Sequence, residues 1–351
     1  MPIRRFKKSQ KNILPPSPNL TTVLILWQTN SKNEITLSNN FKKDKSQNTK
    51  DMICELRNMI TTTITNFSPT SGLQLKKQVK ILINLLNKDQ LIDLDGNVKC
   101  SNTGPAKPYV YLLIAETILK AGSVKESLDD NNEKVYIMGL AMSLLWAKCE
   151  NFGVVFASIL AKKCPQSIPY LPTEQEAGAD QDIYFKNLGF EIDKKTKKLE
   201  DPDKHFDRIA GIFSIYCSVC QSPLPSSIKK HPHGMENLWK WLATTVNSKP
   251  ERGYTAKLLF TLFDIAGYML YKYYKNHFYL VLKIIVSKEN GGYLEKIKQT
   301  KESEHNLLKL KDKVEAMIKS IEKDKEIDVP EKRKGTEYWS LGGSTKVEGD
   351  C

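Results

Sequence analysis

No stretch of this 351-residue chain stays apolar for the roughly 20 residues that a bilayer-spanning helix needs. The run Val23 to Trp27 is short and follows Pro15 and Pro16, so the basic start (Arg4, Arg5, Lys7, Lys8, Lys11) does not read as a secretory signal. A transmembrane segment is therefore not expected. Histidine is scarce, with five residues in all. There is no Gly-rich phosphate loop ending in Lys-Ser/Thr, no Gly-x-Ser-x-Gly elbow and no His-Glu-x-x-His pair. These absences argue against an enzyme, and no catalytic residue is assigned. The seven cysteines are odd in number and unpatterned, which points to a reducing compartment rather than a disulfide framework.

What is present suffices for a core: 40% hydrophobic and 9% aromatic residues suit a globular chain. The formal charge is +13, but its position matters more than its size. Residues 1–50 hold ten Lys/Arg against two Asp/Glu, while the other 301 are close to balance. A domain that tracks phosphate backbones usually carries its own strong basic field. Contact with RNA is therefore expected to be indirect, and the basic start reads as a solvated tail, with import or RNA tethering as the alternative.

The expected organisation has three parts: a basic, largely flexible segment 1–50 with a strand-like run at Thr21–Trp27, a helical domain over 52–340, and a flexible tail over 341–351. Apolar residues recur at helical spacing at Met52, Leu56, Met59 and Ile60, then at Leu75, Val79, Leu82 and Leu86. Residues 87–107 read as a loop. Helices follow over Tyr109–Lys120, Val135–Lys148 and Phe152–Lys163, the last two apolar nearly all round and so central. Pro165, Pro169, Pro172 and Ala177-Gly178 mark a long loop, and Gly189–Asp193 a small strand. Asp201-Pro202 is a helix start, with a capping carboxylate before a proline in the first turn. Phe206, Ile209, Phe213, Tyr216 and Cys220 trace its buried stripe. Met235, Leu238, Trp239, Leu242 and Val246 trace the next. Thr255–Tyr274 and His277–Val286 follow as two helices. Leu307, Leu310, Val314, Met317 and Ile321 hold coiled-coil register too briefly for a coiled coil, so that helix should pack on the domain. The fold class expected is all-α, an irregular HEAT-like stack of antiparallel helices.

Cys217 and Cys220 with His231 and His233 offer four metal-ligand types. Yet the cysteines sit in an apolar helix, and the His-x-His spacing departs from the usual zinc pattern, so no metal is expected. The segment Lys230 to Gly234, leading to Trp239 and Lys240, reads either as a packed corner or as a partner-binding corner. Lys162 and Lys163 close an apolar helix. Either they complement its dipole, or with Lys120 and Lys76 they form an anion pocket.

Several segments in order resemble one family. Lys162-Lys163-Cys164-Pro165 with Pro169-Tyr170 and Pro172-Thr173 resembles its Lys-Lys-Cys-Pro motif and proline loop. Asn187-Leu188-Gly189-Phe190, Arg208-Ile209 and Gly211-Ile212 follow. His231-Pro232-His233-Gly234 with Trp239-Lys240-Trp241-Leu242 is the most specific match. Thr255-Ala256-Lys257-Leu258-Leu259-Phe260, Val329-Pro330 and Trp339-Ser340 extend it. On these residues the chain is identified as a member of the GLFG-lethal-one family of messenger-RNA export factors, matching its C-terminal helicase-activating domain.

The resemblance implies a fold similar to the middle domain of the translation-initiation scaffold 4G. It implies a protein of nucleus and cytoplasm, acting at the cytoplasmic face of the nuclear pore. The implied role is to bind a DEAD-box RNA helicase and stimulate its ATPase. A Phe-Gly nucleoporin and translation initiation and termination factors are further implied partners. In fungal members inositol hexakisphosphate bridges the two proteins. Lys162, Lys163, Lys120 and Lys76 match basic positions of that pocket. Ile159 and Leu280 depart from it, standing where fungal members have Arg and Lys, and Lys283 lies one turn beyond Leu280 to replace part of the lost charge. A weakened or dispensable pocket is therefore expected. The long coiled coil that precedes this domain in family members has no counterpart in the sequence. The competing readings are a passive helical scaffold in translation initiation and a direct RNA binder using residues 1–50.

Overall fold

The computed structural model describes residues 20–68, 72–88, 90–92, 98–101, 104–123, 132–168, 181–193, 195–196, 198–224, 228, 230–287, 292–330 and 333. Among them run α1 (Leu20–Lys43), α2 (Gln47–Thr65), α3 (Gly72–Lys88), a two-stranded antiparallel pair β1 (Gln90–Ile92) and β2 (Val98–Ser101), α4 (Lys107–Gly122), α5 (Asn132–Lys148) and α6 (Glu150–Lys163). Then come α7 (Gln181–Asn187), α8 (Pro202–Gln221), α9 (Met235–Asn247), α10 (Thr255–Val286), α11 (Tyr293–Gln299) and α12 (Glu304–Asp324). The all-α expectation holds, with the short β pair set into the segment expected to be loop.

Helix α8 is the hub. Its start is fixed by Asp201, whose carboxylate accepts from the backbone N–H groups of Asp203 and Lys204 at 3.1 and 3.2 Å, with Pro202 in the first turn. From Ile209 to Gln221 every residue is buried. Helices α4, α5, α9 and α10 all pack on it. A helix buried all round must satisfy its polar side chains internally. Ser214 donates to the Gly211 carbonyl at 2.6 Å, and Gln221 donates to the Ile265 carbonyl of α10 at 2.7 Å. Ser143 of α5 donates to the Val219 carbonyl at 2.9 Å. Where α4 crosses α8, Gly122 meets Gly211 so closely that a Cβ on Gly211 would overlap the Gly122 carbonyl oxygen.

A second knot ties the segment before α8 to its first turn. Arg208 donates to both carboxylate oxygens of Glu200, at 2.8 and 2.7 Å, and to the Gly189 carbonyl at 2.8 Å. Buried His205 lies between Glu200 and the Tyr254 hydroxyl, with Phe190 stacked on its ring at 3.6 Å. The strand expected at Gly189–Asp193 is present as a single bridge, Ile192 to Leu199.

The two helices expected over Thr255–Tyr274 and His277–Val286 are the two halves of α10, broken at Lys275 where φ is 42°. Helix α12 buries Leu310, Val314, Met317 and Ile321 against α10, as its spacing predicts. The N-terminal expectation needs correction. Residues 20–43 form a helix that packs along α4 and α6, where a flexible segment and a strand were expected, and the helical domain begins well before residue 52. Small side chains permit this close packing: buried Ser31 donates to Ser158 of α6 at 2.7 Å, and Ser38 is also buried. Residues 1–19, the prolines at 169 and 172, Ala177-Gly178, Trp339-Ser340 and the tail 341–351 lie outside the described residues.

Two outcomes are expected. Gly211→Ala overpacks the α4–α8 crossing and should cost roughly 2 to 3 kcal/mol in denaturant unfolding. Acid should also destabilise the fold. Burial lowers the pKa of His205 below 6.5. Burial opposes ionisation of Glu200, but hydrogen bonds from Arg208, His205 and the Glu191 N–H outweigh it and hold the carboxyl at about 2. Both folded values lie below their unfolded ones. The stability they contribute is therefore complete above 6.5 and is lost as pH falls, first through His205 and then as Glu200 titrates from 4.5 toward 2. Thermal melts should show that decline. Glu200→Gln should cost about 2 kcal/mol at neutral pH and flatten the lower part of the curve.

Candidate functional site

Helices α4 and α6 run side by side in the same direction. Near their starts, the rings of Tyr111 and Phe152 are 6.2 Å apart, and the Cys149 thiol donates to the Tyr111 hydroxyl at 3.6 Å. Near their ends both reach the same stretch of α8: Gly122 meets Gly211, and the Cys164 thiol donates to the Ile209 carbonyl at 3.8 Å. Lys120, Lys162 and Lys163 are thereby carried to one end of the pair. Lys120 and Lys162 are exposed and Lys163 is half-buried. Cations at helix C-termini complement the dipoles of both helices, and the same cluster can meet an anion with several charges.

The other expected pocket residues differ in setting. Lys76 stands exposed on α3, whose packing partners are α2, α4, α5 and β1. The Lys283 ammonium donates to Glu322 at 2.7 Å, and the Tyr279 hydroxyl donates to the same oxygen at 2.7 Å. That hydrogen bond raises the Lys283 pKa and lowers that of Glu322. Lys283 therefore brings its charge already paired to α12, although so exposed an ion pair is weak enough to exchange partners. The two departures are unlike. Ile159 is a core residue, 6% exposed, whereas Leu280 is 40% exposed.

The corner from His231 to Lys240 is used chiefly from within. His233 stacks on Trp146 at 5.2 Å and lies 3.1 Å from the Tyr216 hydroxyl. Burial lowers its pKa to about 4, so it is neutral at pH 7. The His233 N–H donates to His231 Nδ1 at 3.1 Å, which places the His231 proton on Nε2. Trp239 stacks on Tyr274 at 4.3 Å. Stacking inside the fold engages His233 and Trp239, and His231 Nδ1 accepts from the His233 N–H, which suits the packed-corner reading of these residues. Lys240 alone of the four is exposed.

Cys217 and Cys220 are fully buried, and burial pushes both thiols up. The thiolate that a metal would require is disfavoured there. Among the described residues, no helix is long and apolar enough to cross a membrane. Two features escape the sequence reading: the Glu200–Arg208–His205 knot, and a hole beside Gln166 and Trp241. The Asp201-Pro202 start hints at the first. Nothing local signals the second, whose walls come from residues 166 to 258.

Residues 30–286 match the family described as GLE1-like protein, a span that runs from α1 to the end of α10. The chain is 28% identical over 254 residues to mRNA export factor GLE1 of Danio rerio, covering 72% of this chain and 36% of that protein. It is 26% identical over 299 residues to mRNA export factor GLE1 of Mus musculus, covering 84% of this chain and 41% of that protein. It therefore spans less than half the length of either relative. A solved S. cerevisiae structure, a variant Dbp5 C-terminal domain bound to Gle1 and IP6, contains a chain of the same fold. Its TM-score is 0.69 at 17% identity, with 90% of this chain and 99% of that chain covered. The ordered motifs and the match across most of the helical stack agree: this chain belongs to the GLE1-like family.

Proposed function

We propose that this chain is the helicase-engaging domain of an mRNA export factor, which binds a DEAD-box RNA helicase and raises its ATPase rate. The observation that carries this reading is the family match over residues 30–286, which takes in nearly the whole helical stack. The relatives are mRNA export factors, and the solved yeast structure pairs a Gle1 with a Dbp5 domain and IP6. The chain contributes no bond-making step. It acts by binding one state of the partner better than another, since only a difference in affinity shifts a conformational equilibrium. Favouring the state that releases product would speed turnover where release is slow. The reading places the chain at the cytoplasmic face of the nuclear pore and in the cytoplasm, with RNA met through the helicase. A Phe-Gly nucleoporin and translation factors belong to the same proposal.

Inositol hexakisphosphate is the proposed ligand of the Lys120, Lys162 and Lys163 end, bridging to the helicase. A ligand so highly charged needs several cations at once, each making charge-assisted hydrogen bonds. Here the apolar Ile159 and Leu280 and the paired Lys283 leave fewer, so binding is weak.

Calorimetry with inositol hexakisphosphate and the full chain tests the ligand. Lys162→Ala with Lys163→Ala should weaken binding by at least about tenfold, a loss of roughly 1.4 kcal/mol, while leaving the fold intact. Leu280→Lys, at an exposed position, should strengthen it by a similar factor. Ile159→Arg should destabilise the fold instead, because it buries an unpaired charge. Tightening by Leu280→Lys with no effect of the double alanine variant would move the ligand away from the α6 end. A pull-down that returns initiation factors and no DEAD-box helicase would favour the passive scaffold.

A further inference from the structure

A segment distant in sequence clamps the end of α6. The helix closes on Lys162 and Lys163, and Cys164 and Pro165 follow at once. Leu188 and Gly189, just past α7, lie across that exit. Gln166 Nε2 donates to the Leu188 carbonyl at 2.9 Å. Gly189 has a φ of 87°, and a Cβ on it would lie 2.8 Å from Pro165 Cδ and 3.4 Å from the Lys163 carbonyl oxygen. Glycine adopts that backbone angle without strain and has no side chain to keep it away from the last turn.

Arg208 holds Gly189 in place. Its Nη2 donates to the Gly189 carbonyl at 2.8 Å, while Nε and Nη2 grip the two carboxylate oxygens of Glu200. The Arg208 side chain is 11% exposed and that of Glu200 15%, so both charges are engaged inside the fold. Such a two-pronged, charge-assisted contact has one geometry, which an ammonium group cannot reproduce. Beside this clamp lies Cys164, fully buried, with its thiol on the Ile209 carbonyl. The last turn of a helix is where fraying begins, because its carbonyls lack partners within the helix. The clamp closes that turn where the lysine pair stands.

We propose that Glu200, Arg208 and Gly189 are positioning residues for the polyanion site at Lys162 and Lys163. They act through the backbone, holding the last turn of α6 so that both lysines project from an ordered helix before a ligand arrives. Ordering the site in advance lowers the entropic cost of binding. The inference rests on the reading that inositol hexakisphosphate binds at this end. It also carries a sign that charge alone does not. Removing the negative charge of Glu200 would by electrostatics favour an anion, whereas opening the clamp weakens its binding.

The test uses the full chain and two readouts. One is calorimetry with inositol hexakisphosphate. The other is the rate at which N-ethylmaleimide alkylates Cys164, followed by peptide mass mapping. Glu200→Gln, Arg208→Ala and Gly189→Ala should each weaken the ligand at least about fivefold. Each should also speed alkylation of Cys164 at least about tenfold, while Cys217 and Cys220, buried in α8, stay unreactive. Should Arg208→Ala unfold the chain, so that Cys217 and Cys220 react as well, Arg208→Lys keeps the charge, loses the two-pronged grip and still decides. Tighter binding by Glu200→Gln, or unchanged affinity despite faster alkylation, would overturn the positioning role. Alkylation as slow as in the unaltered chain would overturn the clamp. No binding by the unaltered chain would overturn the ligand reading and the positioning role with it, and faster alkylation would then establish the clamp as a device of the fold alone.

Discussion

The architecture depends on burying one helix on every side. Residues Ile209 to Gln221 have no solvent-facing side, so neighbouring helices must come close and their polar groups must close on one another. The Gly122–Gly211 contact sets how closely α4 crosses α8, and Ser143 and Gln221 fix α5 and α10 to it by hydrogen bonds. The crossing also places the lysine end of the stack. Because both α4 and α6 stop at the same stretch of α8, Lys120 and Lys162-Lys163 share one end of the stack. A surface built by stacked helices is suited to docking, and its cations complement helix dipoles whether or not an anion is bound.

Much of the fold was legible because its signals are local. A capping aspartate followed by proline announces α8, and an apolar stripe with helical period announces α12. The break in α10 lies between the two helices read from the sequence, at Lys275. Helix α1 was missed for a physical reason. It is rich in Thr and Asn, which are indifferent helix formers, its apolar residues bunch at Val23–Trp27 and so read as a strand, and two of its buried contacts are serines, which carry no hydrophobic signal. Packing along α4 and α6 outweighs its weak local preference. The β1–β2 pair was missed because each strand is only three or four residues long.

The candidate site divides in the same way. The lysine pair at the end of α6 could be found from its place at a helix terminus and from the resemblance. Its companionship with Lys120 is a tertiary fact that no spacing encodes. The histidine and tryptophan corner stood out in the sequence because its residues are distinctive, yet it spends them on stacking inside the fold. The hole beside Gln166 and Trp241 was invisible because its walls come together only in the fold, from residues 166 to 258.

The central claim is that this helical stack changes the rate of a partner's chemistry while performing none itself. The direct measurement is the steady-state ATPase rate of its cognate DEAD-box helicase at saturating RNA, titrated with this chain. The account predicts a several-fold rise that saturates with the chain, and no ATP turnover by the chain alone. An unchanged rate at a concentration where the two proteins are bound to each other would contradict it.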